Sequence, residues 1–185
     1  NRFCENTDCF VLSTCCPRPF EQLQFIRKTE NLYMDLLDIP EGMKKFMDKM
    51  HAFYCELLEE WAKTKVDALT FMDDWGSQRS LLINPAIWRE IFKPMYRDYI
   101  EIAKRHGKKI FMHSDGFILD ILPDLAEMGL DAVNSQIFCM GLDALEPLAG
   151  KITFWGEIDR QHLLVEGNRD DIRKAVQRVK ETLWR

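Results

Sequence analysis

Three stretches of this chain share one layout, and that layout restricts the folds open to it. Ala68–Leu69–Thr70–Phe71–Met72 runs into Asp73–Asp74–Trp75–Gly76, Lys109–Ile110–Phe111–Met112 into His113–Ser114–Asp115–Gly116, and Ile152–Thr153–Phe154–Trp155 into Gly156–Glu157–Ile158–Asp159. Each is a short β-branched or aromatic run that breaks into acidic and polar residues, and each is followed by a helical pattern. Strands that alternate with helices build parallel sheets, and in parallel α/β architectures ligands bind at the carboxyl ends of the strands. Converging carboxylates and one histidine there point to an active site.

The remaining elements fit the same alternation. Phe10 to Cys15 reads as a first strand, stopped by Pro17–Arg18–Pro19, with short helical stretches at Glu21 to Arg27 and Glu30 to Leu37. From Pro40 to about Lys65, apolar residues at Met43, Phe46, Met47, Met50, Phe53, Tyr54, Leu57, Leu58 and Trp61 recur three and four apart, the stripe of a long amphipathic helix. Asn84 followed by Pro85 is a helix start, and Lys104–Arg105–His106 before Gly107 is a helix end. A helix from about Ile118 to Met128 stops at Gly129, a strand follows at Ala132–Val133–Asn134–Ser135, and a brief helix spans Leu142 to Leu148. Asn168 with Asp171 three residues on caps a closing helix through Leu183. That makes five strands without hairpin signals, so a parallel sheet is expected. A closed eight-stranded barrel needs about 250 residues, and 185 residues fit either an open doubly wound sheet or part of a barrel.

Composition excludes several classes of function. The chain is 46% apolar and 30% charged, ordinary for a globular protein of one domain. Its net charge is −5, and its basic residues are scattered rather than gathered in a stripe, which argues against a nucleic-acid surface. No apolar run approaches the roughly 20 residues that span a bilayer, and no signal-peptide order opens the chain, so a cytoplasmic protein with no membrane or nucleic-acid partner is expected. The cysteines Cys4, Cys9, Cys15, Cys16, Cys55 and Cys139 read as reduced thiols. A zinc cluster of the first four lacks paired C-x-x-C spacing.

The candidate site residues follow from strand geometry. His113 and Asp115 stand two apart at a strand end, point to one side, and can share a cation, for which an imidazole with a carboxylate suits zinc. Asp73 and Asp74 are adjacent and face opposite ways. Asp74 is expected to turn towards the site, leaving Asp73 to bond backbone or a neighbouring helix. Crowding by His113, Asp115 and Glu157 would raise the pKa of that inward carboxyl and make it a proton donor or acceptor. Glu157 is expected to contact substrate, Asp159 to cap the turn after it, and Arg18 and Arg79 to bind a carboxylate or phosphate from loops. Trp75, Trp155 and Phe138 are candidate pocket walls, with aromatic core packing as the alternative.

Through Asp73–Asp74–Trp75–Gly76, Asn84–Pro85–Ala86–Ile87–Trp88–Arg89, His113–Ser114–Asp115–Gly116, Gly129–Leu130–Asp131–Ala132–Val133–Asn134 and Gly156–Glu157–Ile158–Asp159, the chain resembles the uroporphyrinogen decarboxylase family from about Phe10 to Arg185. That superfamily holds true decarboxylases and cobalamin-dependent methyltransferases, all on a (β/α)8 barrel. The resemblance implies a TIM-barrel type fold, present here as a single partial domain over residues 1–185 that lacks the first strands and the last. Self-association or a longer parent chain would then cover the open sheet edges. The sequence looks more like the methyltransferase branch, whose similar members carry His-x-Cys where this chain has His113–Ser114–Asp115 and use it, with a later cysteine, to bind the zinc that activates a thiol. The resemblance therefore implies metal-assisted methyl transfer with zinc and a corrinoid carried by a partner protein, Asp115 standing where those relatives have cysteine. True decarboxylases read Asp-Ser-Trp at Asp73–Asp74–Trp75 and Gly-Asn-x-Asp-Pro at Gly156–Glu157–Ile158–Asp159–Arg160. Their arginine-rich N-terminal segment has no counterpart here, and the Cys16–Pro17–Arg18–Pro19 region occupies the place of their catalytic tyrosine. Decarboxylation of a tetrapyrrole is thus the second reading, and a non-catalytic tetrapyrrole-binding module the third.

Overall fold

The structure, a computed structural model, describes residues 1–14 and 17–185. Its elements alternate in the order α1 (Pro19–Arg27), α2 (Thr29–Asp35), α3 (Glu41–Ala62), β1 (Ala68–Met72), α4 (Pro85–Arg105), β2 (Lys109–Ser114), α5 (Leu122–Met128), β3 (Ala132–Ser135), α6 (Ile137–Met140), α7 (Leu142–Leu145), β4 (Thr153–Gly156), α8 (Leu163–Glu166) and α9 (Arg169–Leu183). The strands follow the sheet order β1-β2-β3-β4. Four strands are found among the described residues where five were expected. Among the described residues of the expected first strand, only Leu12 forms a bridge, parallel to Ala68. The amide of Thr70 donates to the Ser13 hydroxyl (2.9 Å) rather than to a main-chain carbonyl, so a side chain interrupts the ladder there. Cys15, which closes that expected strand, and Cys16, which with it makes up half of the weakly spaced cysteine cluster, lie outside the described residues.

The chain divides into two compact units. The first comprises Asn1–Asp73 and Ile83–Phe111. Its longest helix, α3, buries Met43, Met47, Met50, Tyr54, Leu58 and Ala62, a stripe recurring three and four apart. Phe46 and Phe53, counted in the expected stripe, are exposed instead, because they sit off the face that this spacing selects. Helix α4 begins as expected: the Asn84 side chain accepts from the amide of Ala86 and Pro85 opens the first turn. Its buried face carries Trp88, Phe92, Tyr96 and Tyr99. Phe92 stands edge-on to Phe20 at 5.7 Å, and Tyr96 lies 4.8 Å from Phe71, aromatic contacts that add specificity to an apolar core.

The second unit comprises Asp74–Leu82 and Met112–Arg185. Strands β3 and β4 pair in parallel, Asn134 opposite Trp155. Helix α5 starts at Leu122 rather than Ile118, with Pro123 in its first turn. Gly129 then ends it in the left-handed region, at φ 92°. The one-turn helix α6, which carries Phe138, has no signal in the sequence periodicity because four residues are too few to show one. Asn168 and Asp171 form the expected capping box of α9. Among the described residues, no helix is long and apolar enough to cross a membrane.

Candidate functional site

The adjacent carboxylates at the end of β1 divide between the two units. Asp73 is fully buried in the first. It accepts from the amides of Phe20 (3.1 Å) and Glu21 (2.9 Å) and from the Tyr96 hydroxyl (2.5 Å). The residue preceding α1, Arg18, makes no side-chain cap, so Asp73 caps that helix from a distance in sequence and satisfies its first-turn amides. Burial pushes its carboxyl up to about 8, against the pull of the Tyr96, Glu21 and Phe20 hydrogen bonds in the other direction. Asp73 is thus the structural partner of the pair, as the alternation of the strand implied, and it is the carboxyl with the raised pKa.

Asp74 belongs to the second unit with His113 and Asp115. One Asp74 oxygen accepts the Asp115 amide at 2.9 Å and stands 3.6 Å from His113 Nε2. Asp115 Oδ1 lies 4.0 Å from the same nitrogen. One ligand atom from each of the three residues lies within 4.8 Å of the other two. The loops that hold them touch through glycine: Gly116 has φ +78°, and a Cβ on either Gly76 or Gly116 would overlap the backbone of the other loop. Backbone bonds from Gly76 to the Asp115 carbonyl (3.1 Å) and from Phe117 to the Ser77 carbonyl (2.7 Å) fasten this contact.

The protonation of His113 can be deduced. The Asn134 amide nitrogen donates to the Trp155 carbonyl at 2.7 Å, and a carbonyl can only accept. The Asn134 oxygen therefore faces His113 Nδ1, 2.6 Å away, and Nδ1 must carry the hydrogen. In the neutral tautomer this leaves the lone pair on Nε2, the nitrogen that faces Asp74 and Asp115. Metal-ligating histidines are held in this way by outer-shell acceptors. Were a zinc ion held at Nε2, replacing Asn134 with alanine would weaken its binding about 10- to 100-fold, measured by competition with a chromophoric chelator.

Asp115 completes the arrangement. Its Oδ2 accepts from Arg160 at 2.6 Å, while its Oδ1 is buried with no hydrogen-bond partner. The guanidinium also reaches Glu157 at 3.2 Å, and the neighbouring Asp115 holds it above its usual range. An unsatisfied buried carboxylate oxygen is costly unless something binds it. Two ligands on a tetrahedral zinc stand about 3.3 Å apart, near the separations observed here. One imidazole nitrogen and two carboxylate oxygens, one of them orphaned, fit that ion.

Beside this cluster is a cavity of about 470 Å³, lined by Arg79, Gln78, Gln136, Cys139, Glu157, Arg160 and His162 among others. The structure thus gathers Asp74, His113 and Asp115, links Asp115 to Glu157 through Arg160, and lines the adjoining cavity with Glu157 and Arg79. Arg18, an expected substrate contact, belongs to the first unit, where it precedes α1. Trp75 is fully buried, so its indole is core and only its amide, donating to the Ser114 hydroxyl at 3.1 Å, serves the site. Asp159 caps the following turn as expected, accepting from the amides of Gln161 and His162. Asn134 and Arg160 were not among the expected site residues. The signal for Asn134 was its place beside the His113 strand, and for Arg160 its proximity in sequence to Glu157.

The family described as uroporphyrinogen decarboxylase matches residues 16–183, nearly the whole chain. The chain belongs to the uroporphyrinogen decarboxylase family. No curated protein matches it. A solved structure, a methyltransferase from Methanosarcina mazei, superposes with a TM-score of 0.67 at 14% identity, over 91% of this chain and 49% of that one. The likeness is one of fold, and this uroporphyrinogen decarboxylase family chain spans about half the length of that neighbour. Its fold class is accordingly α/β of the (β/α)8 type, with four strands of the barrel found here.

Proposed function

We propose that this chain carries the metal-binding part of a methyltransferase that works with a corrinoid-bearing partner protein. The observation that carries the reading is the His113 ring, its Nδ1 hydrogen tied to Asn134 and its Nε2 turned to two carboxylates, one of which has a buried oxygen without a hydrogen bond. Asp74, His113 and Asp115 would hold the ion. Zinc supplies Lewis acidity, which lowers the pKa of a bound thiol towards neutrality. The chain's own residues do the rest. Asn134 keeps the imidazole hydrogen on Nδ1. Arg160 holds Asp115 and Glu157 in place and balances part of the negative charge. Arg79, Gln78 and Gln136 line the cavity where a polar acceptor would be oriented.

The reading is tested by titrating zinc into the protein while following the histidine nitrogens by NMR, together with methyl transfer from methylcobalamin to a thiol. The His113 Nε2 resonance is expected to move and saturate, and His113→Ala to reduce transfer at least about tenfold. A silent Nε2 resonance, or transfer unchanged in the variant, would overturn the proposal. Decarboxylation of a tetrapyrrole polycarboxylate is the second reading, favoured by the two arginines, Arg79 and Arg160, on one cavity. It predicts uroporphyrinogen turnover that is indifferent to chelators.

A further inference from the structure

The first unit holds a second convergence of metal-capable side chains that the reading above does not use. His51 and Cys55 are four residues apart on α3, the spacing that puts two side chains on one helix face, and Asp98 reaches them from α4. His51 Nε2 is 2.8 Å from Asp98 Oδ2 and 3.7 Å from Cys55 Sγ. The other ring nitrogen, Nδ1, meets the hydroxyl of the fully buried Tyr99 at 3.4 Å, with the two rings 5.4 Å apart. Tyr99 meets the ring at Nδ1 and Asp98 at Nε2, while the Cys55 sulfur stands beside both nitrogens, 3.9 Å from Nδ1 and 3.7 Å from Nε2.

These donors are chemically distinct from those of the Asp74 cluster. A thiolate, an imidazole and a carboxylate form the mixed soft and borderline set that selects zinc over magnesium or calcium. On a tetrahedral zinc, a sulfur at about 2.3 Å and a nitrogen at about 2.0 Å stand roughly 3.5 Å apart, close to the observed Sγ to Nε2 separation. The Asp98 side chain is half exposed and free to withdraw the few tenths of an ångström that an ion between it and the ring requires.

We propose that His51, Cys55 and Asp98 form a second divalent-metal site of the zinc class, clamping α3 to α4. Binding is an exchange of metal for protons. The Cys55 thiol gives its proton to solvent, the imidazole hydrogen rests on Nδ1 against the Tyr99 oxygen, and no electron is transferred. Burial raises the thiol to about 11, so the ion must displace a firmly held proton and affinity rises with pH.

Cobalt(II) is the probe, because a cobalt–thiolate bond gives a near-ultraviolet charge-transfer band that the Asp74, His113 and Asp115 donors cannot produce. Titration of the whole chain is expected to produce this band, to saturate at one thiolate per chain, and to leave it intact in His113→Ala. Cys55→Ser is expected to abolish the band, and Asp98→Asn to weaken cobalt binding at least about tenfold. Absence of the band in the wild-type protein, or a band that survives Cys55→Ser, would overturn the proposal. Should Cys55→Ser fail to fold, the solvent-facing Asp98→Asn decides, and unchanged affinity there overturns it equally.

Discussion

Asp73→Ala is expected to lower stability by about 3–5 kcal/mol, since a buried amide, a part-buried amide and a buried hydroxyl lose one shared acceptor and each such loss costs roughly 1–3 kcal/mol. The acceptor is unusual in its reach. It leaves the end of β1 and fastens the first turn of α1, more than fifty residues earlier in the chain. Its titration adds a pH signature. Burial lifts the folded-state value from 3.8 to about 8, so the folded chain holds this proton more tightly than the unfolded chain does. The stability it contributes is complete below the unfolded value, declines as pH rises through about 8, and changes no further above that. Urea midpoints measured between about pH 5 and pH 9 should fall more steeply for the wild type than for Asp73→Ala. Parallel slopes would show that Asp73 does not titrate in this range.

Gly116→Ala should be the most damaging substitution near the site that leaves every candidate ligand in place. At φ +78° an alanine pays about 1–2 kcal/mol for the left-handed backbone. Its methyl would also overlap the Gly76 carbonyl and the Ser77 carbonyl, main-chain atoms that no rotamer change can move, and such overpacking costs a further 1–3 kcal/mol or about that. Relief requires the two loops to part, and those loops carry Asp74 on one side and His113 and Asp115 on the other. Zinc affinity at His113 is therefore expected to fall at least as far as in Asn134→Ala, with far-ultraviolet circular dichroism largely retained. Gly76→Ala should behave alike, because the overlap is reciprocal. Zinc binding by Gly116→Ala at the wild-type level would exclude close loop contact as the feature that assembles the cluster.

The strands that carry the site were legible because their signal is local. Ala68–Met72 and Ala132–Ser135 occur where their β-branched and aromatic residues put them, and the two-residue spacing of His113 and Asp115 was enough to bring the Asp115 carboxylate to 4.0 Å from His113 Nε2. The Asn84–Pro85 start and the Asn168–Asp171 box were equally local, each a side chain answering amides two or three residues away. What failed to show was long-range. The first strand shrank to one bridge at Leu12 because Ser13 spends its hydroxyl on Thr70. Arg160 gave no hint that it would bind Asp115, forty-five positions earlier. Asn134 read as an ordinary strand residue, and only the pairing of its strand reveals its contact with His113.

The Asn134–Trp155 pairing reaches beyond the strands themselves. Because a main-chain carbonyl decides which way the Asn134 amide points, and that amide decides which imidazole nitrogen donates to it, the tautomer of His113 is inherited from how two neighbouring strands line up. No ionisable neighbour is needed to choose the tautomer. Any change that slid β4 by a single position would hand Asn134 a different partner and turn the ring's reactive edge without altering one residue that touches it.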